Sequence, residues 1–207
     1  MAIKGLSIPV IGDYSVTDSG SVSYSNPAVA DRAVEYSASW ETTDDNPLYA
    51  DNTIVEQDSG TFQSGTLTLG TADLPQSLSE RILGLKKNVI KYANGKTVTE
   101  LIYDDNAKSP YLGFGIIELH QIDNNDKYRA VFLPKIKFKI PEEAATTKGD
   151  SIDWQTKSIE ASILRSDQSD DIYKNPWMID AWFDSESEAL VYLMYKCGAT
   201  VSSEAEG

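Results

Sequence analysis

The polarity pattern along the chain is mostly that of β-strands. From Asp31 to Trp40 the positions Arg32, Val34, Tyr36, Ala38 and Trp40 alternate with Asp31, Ala33, Glu35, Ser37 and Ser39. A period of two puts a mostly apolar face opposite a small or acidic one. In Phe62 to Leu69, Thr66 and Thr68 alternate with Leu67 and Leu69. Tyr111 to Gln121 and Tyr128 to Ile140 are long runs rich in β-branched and aromatic residues. Between them, Asp123-Asn124-Asn125-Asp126 predicts a hairpin turn. In the second run Ile136, Phe138 and Ile140 alternate with Lys135, Lys137 and Lys139. From Ser151 to Leu164, Ile152 and Trp154 oppose Asp153 and Gln155; the phase slips near Lys157–Ser158 and resumes as Ile159, Ala161 and Ile163. Such a slip predicts a bulge.

Two helices break the strand pattern. Asp73 is a candidate N-cap, Pro75 is tolerated in a first turn, and Leu78, Ile82 and Leu85 form an apolar stripe that Gly84 stops. The second opens with a capping box, Ser185 to Glu188, followed by Ala189, Leu190, Leu193, Met194 and Cys197 at helical spacing, and ends at Gly198. Glu41 to Asn52 reads as a long polar loop around the apolar pair Leu48–Tyr49. Loops of that length in a compact domain are often functional. Ser166 to Pro176 reads as an acidic linker, and Ala199 to Gly207 as a fraying tail.

Charge changes the picture more than composition does. The formal net charge is −14 over 207 residues. Residues 1–80 carry a net −10, residues 81–139 a net +5, and residues 140–207 a net −9. A chain this acidic is a poor candidate for gripping nucleic acid, whose binding draws on Lys and Arg at phosphates. Blocks of opposite sign suit pairing within one fold or between copies. No run of apolar residues is long enough to span a membrane. The N-terminus has no apolar core with a cleavage site, so synthesis in a cytoplasm is expected. The single Cys197 excludes an intrachain disulfide.

Candidate chemistry is sparse, and the expectation is a protein that is not an enzyme. A Ser-His-Asp triad would need His120, the only histidine, in a chain with no nucleophile elbow. Cys197 falls on the apolar side of a helix and reads as a core residue. Gly113-Phe114-Gly115 is a lone GxG inside a strand pattern, not a phosphate loop. No metal or cofactor is expected: zinc needs more His or Cys, and the Asp-rich turns lack the spacing of a calcium loop. Trp40 and Trp154 fit core faces, whereas Trp177 and Trp182 leave a carbohydrate-binding β-sandwich as the alternative function. An acid–base hydrolase stands third, since 32 acidic residues offer many carboxylate pairs.

Six segments taken together carry a resemblance. They are Leu48 to Asn52 (LYADN), Gly65 to Pro75 (GTLTLGTADLP), Ile82 to Leu85 (ILGL), Ser109 to Gly115 (SPYLGFG), Lys127 to Phe132 (KYRAVF) and Thr147 to Thr156 (TKGDSIDWQT). In this order and spacing they resemble the major tail proteins of long-tailed, non-contractile bacteriophages, over roughly residues 3 to 165. After Arg165 the resemblance ends.

The resemblance implies a mainly β chain: a tail-tube-like β-sandwich of two packed antiparallel sheets with one flanking helix, over residues 1–165. The acidic linker, Trp-rich segment and C-terminal helix of residues 166–207 would follow. It also implies stacked hexameric rings forming a hollow tube in the virion, made in the bacterial host cytoplasm. The partners would be other copies and the tail-tip, tape-measure and tail-terminator proteins. Double-stranded DNA would pass through without specific binding, and the chain would bind no membrane. The loop 41–52 would reach the adjacent ring, with Asp45, Leu48, Tyr49 and Asp51 as candidate contacts. Asp31, Glu35, Asp153 and Glu160 are the candidate lining of an acidic lumen. Lys135, Lys137 and Lys139 are expected to face acids on a neighbouring strand or subunit.

Overall fold

The computed structural model describes residues 2–30, 32–72, 74–143 and 156–200. In chain order the elements are β1 (Ala2–Val16), β2 (Val22–Val29), β3 (Ala33–Thr42), β4 (Asn46–Ala50), β5 (Thr53–Asp58), β6 (Phe62–Thr71), α1 (Gln76–Leu83), β7 (Lys86–Tyr92), β8 (Lys96–Ile102), β9 (Leu112–Ile122), β10 (Asn125–Phe138), β11 (Lys157–Leu164), β12 (Ile179–Phe183) and α2 (Glu186–Lys196). The chain is mainly β, as its alternation predicts.

The strands run antiparallel in the order β2-β1-β9-β10-β11-β6-β3. β10 is long enough to share one edge between two partners: Tyr128 to Phe132 pair with β12, and Lys135 to Phe138 with β11. From there the strands form two packed layers, β2-β1-β9-β10 with β12, and β11-β6-β3. Leu67, Leu69, Ile159 and Ile163 of the second layer meet Ile11, Phe114, Ile116 and Leu133 of the first in one core. That is a β-sandwich, with α1 adding Ile82 and Leu83 to the same core. The β9–β10 turn is tighter than four residues: Asp123 and Asn124 have φ of 49° and 64°, the positive pair that a two-residue type I′ hairpin requires.

Helix α1 starts one residue after Pro75, which stands at the N-cap rather than inside the first turn, with no side-chain cap bond. The expected cap, Asp73, lies outside the described residues. Gly84 ends the helix in the left-handed region at φ 65°, against the carbonyl of Lys108.

Helix α2 builds a second core on the outer face of the first layer. Its N-cap Ser185 accepts a hydrogen bond from the Glu188 N–H at 3.3 Å. Ala189, Leu193 and Cys197 are fully buried against Val10, Ile117, Ala130 and Phe132. The GxG of β9 makes room for this layer. A Cβ on Gly113 would sit 2.7 Å from the Tyr24 ring, and one on Gly115 would sit 2.7 Å from Leu193. The segment after Arg165 is thus built into the sheet through β12 and into a core through α2.

Candidate assembly surfaces

The outer face of the second layer is polar. Tyr36 and Ala38, Leu67 and Leu69, and Ile159, Ala161 and Ile163 point into the core. Their alternates share the other face, because residues paired across strands lie on the same side. The pairings Ser37–Thr68–Glu160 and Glu35–Gly70–Ser158 run across it. Ser39, Thr66 and Ser162 form the next row, which reaches Lys137 of β10. Glu35 and Glu160 therefore lie on one hydroxyl-rich face, and both are exposed. Asp31 and Asp153 lie outside the described residues. Near the N-terminus of β3 the register shifts between Ala33 and Glu35, so Ala33 packs inward and Val34 is 54% exposed, contrary to the simple alternation. At the other end Trp40 is 37% exposed. The expected slip near Lys157–Ser158 falls where β11 begins, and from Lys157 onward its pairing with β6 is regular.

The three lysines share this face, since Ile136 and Phe138 take the buried side of β10. Lys139 Nζ lies 3.0 Å from Glu160 on the adjacent strand, and Lys135 Nζ 2.6 Å from Asp167 after β11. Tyr14 also donates to Asp167, at 2.6 Å, and the Lys135 and Tyr14 hydrogen bonds hold that carboxyl below its ordinary range. Lys137 Nζ lies 5.5 Å over the Tyr111 ring. The face is therefore mixed in charge, acidic toward β3 and basic along β10, rather than uniformly acidic.

The segment expected as a long loop is a ribbon. β3 continues to Thr42, and β4 and β5 pair from Asn46–Asp58 to Ala50–Thr53. Asp51 and Asn52 turn it with φ of 49° and 61°. The polar run hides a hairpin because neither face is covered, so no alternation develops. Leu48, Tyr49, Ile54 and Val55 are each more than half exposed. Asp45 fixes the base, accepting from Gln57 Nε2 at 2.5 Å and from the Gly60 N–H at 2.8 Å. Asp51 sits in the turn. A second ribbon, β7–β8, is turned by Asn94 and Gly95, both at positive φ.

His120 belongs to an ionic network facing the interior of the sandwich. Its Nε2 lies 2.9 Å from Glu118 Oε2, and Arg129 Nη1 lies 3.3 Å from the same oxygen. Arg129 Nε donates to Asp180 at 2.7 Å. Burial alone would lower the Arg129 pKa, but its bonds to Asp180 and the Glu118 charge outweigh this and raise it. The Trp182 ring edges onto His120 at 4.9 Å. Neither Arg129 nor Asp180 is legible beside His120 in the sequence; β10 and β12 bring them there. Cys197 lies under α2 on the opposite face of the sheet, so the thiol and the imidazole do not share a site. Burial pushes that thiol up to about 12. Trp177 is stacked on Phe62 at 4.6 Å and touches Trp40, which spends its ring face inside the protein.

Two strands close the sheet path. β2 is interrupted by Asn26, at φ 51°, and by Pro27, which has no N–H to donate. β3 runs ten residues with no proline. In comparison with known proteins, no family model matches the chain and no curated protein aligns with it.

Proposed function

We propose that this chain is a structural subunit that assembles with copies of itself into the stacked rings of a phage tail tube. The observation that carries the reading is one continuous antiparallel sheet ending at β2 and β3, each with one side unpaired in the sheet path. Exposed strand edges template pairing with another chain. A ring joins the edge of one copy to the other edge of the next, a heterologous contact that closes by rotation. The hydroxyl-rich outer face of β3, β6 and β11 would then line the lumen. Its few charges, partly neutralised by Lys139–Glu160, suit passage of DNA without a binding patch. The β4–β5 ribbon suits a contact between rings. The reading agrees with the phage tail-protein resemblance and assigns the chain no catalysis. Six subunits per ring, the virion location and the tail-tip, tape-measure and tail-terminator partners come from that resemblance alone.

Electron microscopy of the purified chain at high concentration, with the cognate tail-tip complex supplied as a nucleus, tests the proposal. Rings or tubes of uniform width are expected. Their absence, with strictly monomeric scattering at every concentration, would overturn it.

A further inference from the structure

Two ribbons project from the sandwich with opposite charge and uncovered apolar side chains. Residues 41–60, which contain β4–β5, hold six acids and no base. Residues 86–102, which form β7–β8, hold four lysines and one glutamate. Among the described residues no ion pair involves Asp44, Asp51, Glu56 or Asp58, and none involves Lys91 or Lys96, while Lys86 Nζ lies 3.5 Å from Asp104 and Lys87 Nζ 3.9 Å from Glu80. The two sets of charge are therefore not spent on each other within one copy.

Strand register sorts each ribbon into faces. On β4–β5, Leu48 pairs with Glu56 and Asn46 with Asp58, which places one exposed leucine and two acids on a common side. On β7–β8, Ile90 pairs with Val98, Tyr92 with Lys96, and Lys86 with Ile102. That side presents exposed Ile90, Tyr92, Val98 and Ile102 with Lys86 and Lys96, and also the Asn88–Glu100 pair, in which Asn88 Nδ2 donates to Glu100 at 2.7 Å. Leu101 lies on the other side and packs toward the main core, so the Ile90–Val98 side is turned away from it. The first face is acidic around one leucine, and the second carries two lysines and one glutamate around its apolar residues, so the balance of charge is opposite.

The two ribbons leave the β3–β6 pair at different ends. β4–β5 bridges Thr42 to Phe62, whereas the chain reaches β7–β8 only after leaving β6 at Thr71 and passing through α1. Among the described residues no ion pair joins the two patches within one copy, so their charges are free to meet in a second one. They make a head-to-tail contact that repeats from copy to copy.

We infer that the Leu48–Glu56–Asp58 face of the β4–β5 ribbon docks on the Ile90–Val98 face of the β7–β8 ribbon of a second copy. Leu48 against Ile90 and Val98 supplies apolar contact, while Lys86 and Lys96 against Glu56 and Asp58 set partner and register. The inference deepens the tail-tube reading by naming the receptor of the projecting ribbon, and it rests on that reading only for the claim that the contact joins successive rings.

Charge swapping in the full-length protein tests it. One variant carries Glu56→Lys and Asp58→Lys; the other carries Lys86→Glu and Lys96→Glu. Sedimentation velocity at low salt reads association, and far-UV circular dichroism with urea midpoints confirms that each variant folds. Either variant alone is expected to associate roughly tenfold or more weakly than the wild type. An equimolar mixture is expected to recover association by alternating the two, and one chain carrying all four changes is expected to associate with itself again. Wild-type association that is indifferent to the charge reversals, or folded variants whose mixture fails to recover it, would overturn the docking and leave the tube reading standing. Charge-dependent association that yields only open chains, never closed rings, would support the docking and count against the tube. A wild type that stays monomeric at every concentration, with the tail-tip complex also supplied as a nucleus, would overturn both.

Discussion

The two layers of the sandwich are made of the same kind of strand but buried differently. The first layer is covered twice: Phe114 and Ile116 face the main core, while Ile117 with Gly113 and Gly115 faces Tyr24 and α2. The second is covered once: β6 alternates buried Leu67 and Leu69 with half-exposed Thr66 and Thr68. A strand covered on both faces has no side free to present to a partner and gains stability from both. A strand covered on one face contributes less to the core and keeps a surface. The molecule therefore places its stability in β1, β9 and β10, and holds in reserve the face that the proposed function uses.

The largest way to test that division is Phe132→Ala in the second core. Phe132 is 1% exposed and packs edge-on to Tyr24 at 5.4 Å. The loss expected is about 3–5 kcal/mol, read from urea unfolding. A smaller effect comes from pH. Cys197 keeps its proton in the folded state up to about 12. In the unfolded chain it ionises from about pH 8.5. The folded state then holds more protons than the unfolded one, so stability falls as pH rises through that window. The slope approaches about 1.4 kcal/mol per pH unit, and Cys197→Ala flattens it in urea midpoints taken from about pH 8.5 to 10. Smaller again is Ser185→Ala, which removes the α2 N-cap and costs about 1 kcal/mol by the same measurement. On the open face, Thr68→Ala and Lys139→Ala are each expected to stay within about 0.5 kcal/mol. A loss at Thr68 matching that at Phe132 would break the comparison.

Burial also explains which elements were legible. β3, β6, β11 and the Lys135–Phe138 end of β10 each show an apolar and a polar face, so their alternation survives in the sequence. β1 hides its period: Gly5, Pro9 and Gly12 interrupt it, and register shifts fall between Ile3 and Gly5 and between Ser7 and Val10, with Ile8 at φ 48°. Each shift flips the face on which the next residue lies. β2 breaks in the same way at Asn26–Pro27. The ribbons were illegible for the opposite reason, since with neither face buried their apolar residues follow no period. The turn chemistry was nevertheless present in Asp51-Asn52 and Asn94-Gly95, each a signal for positive φ. Of the candidate site residues, the alternation placed Glu35 and Glu160 opposite the core faces of their strands. It did not place Lys135, Lys137 and Lys139 on the same surface, because that follows from the pairing of β10 with β11.

The sequence by itself determined the local features: strands where one face is apolar, the Ser185 capping box, the Gly84 stop and the segregation of charge along the chain. These depend on residues a few positions apart, and short-range sterics and hydrogen bonding act at that distance. Only the tertiary structure decided that β10 would share one edge between β11 and β12, that α2 would cover Gly113 and Gly115, and that Glu118, His120, Arg129 and Asp180 would meet. Those choices join residues far apart in the chain. They are settled by which apolar faces bury each other, not by the preferences of any one segment.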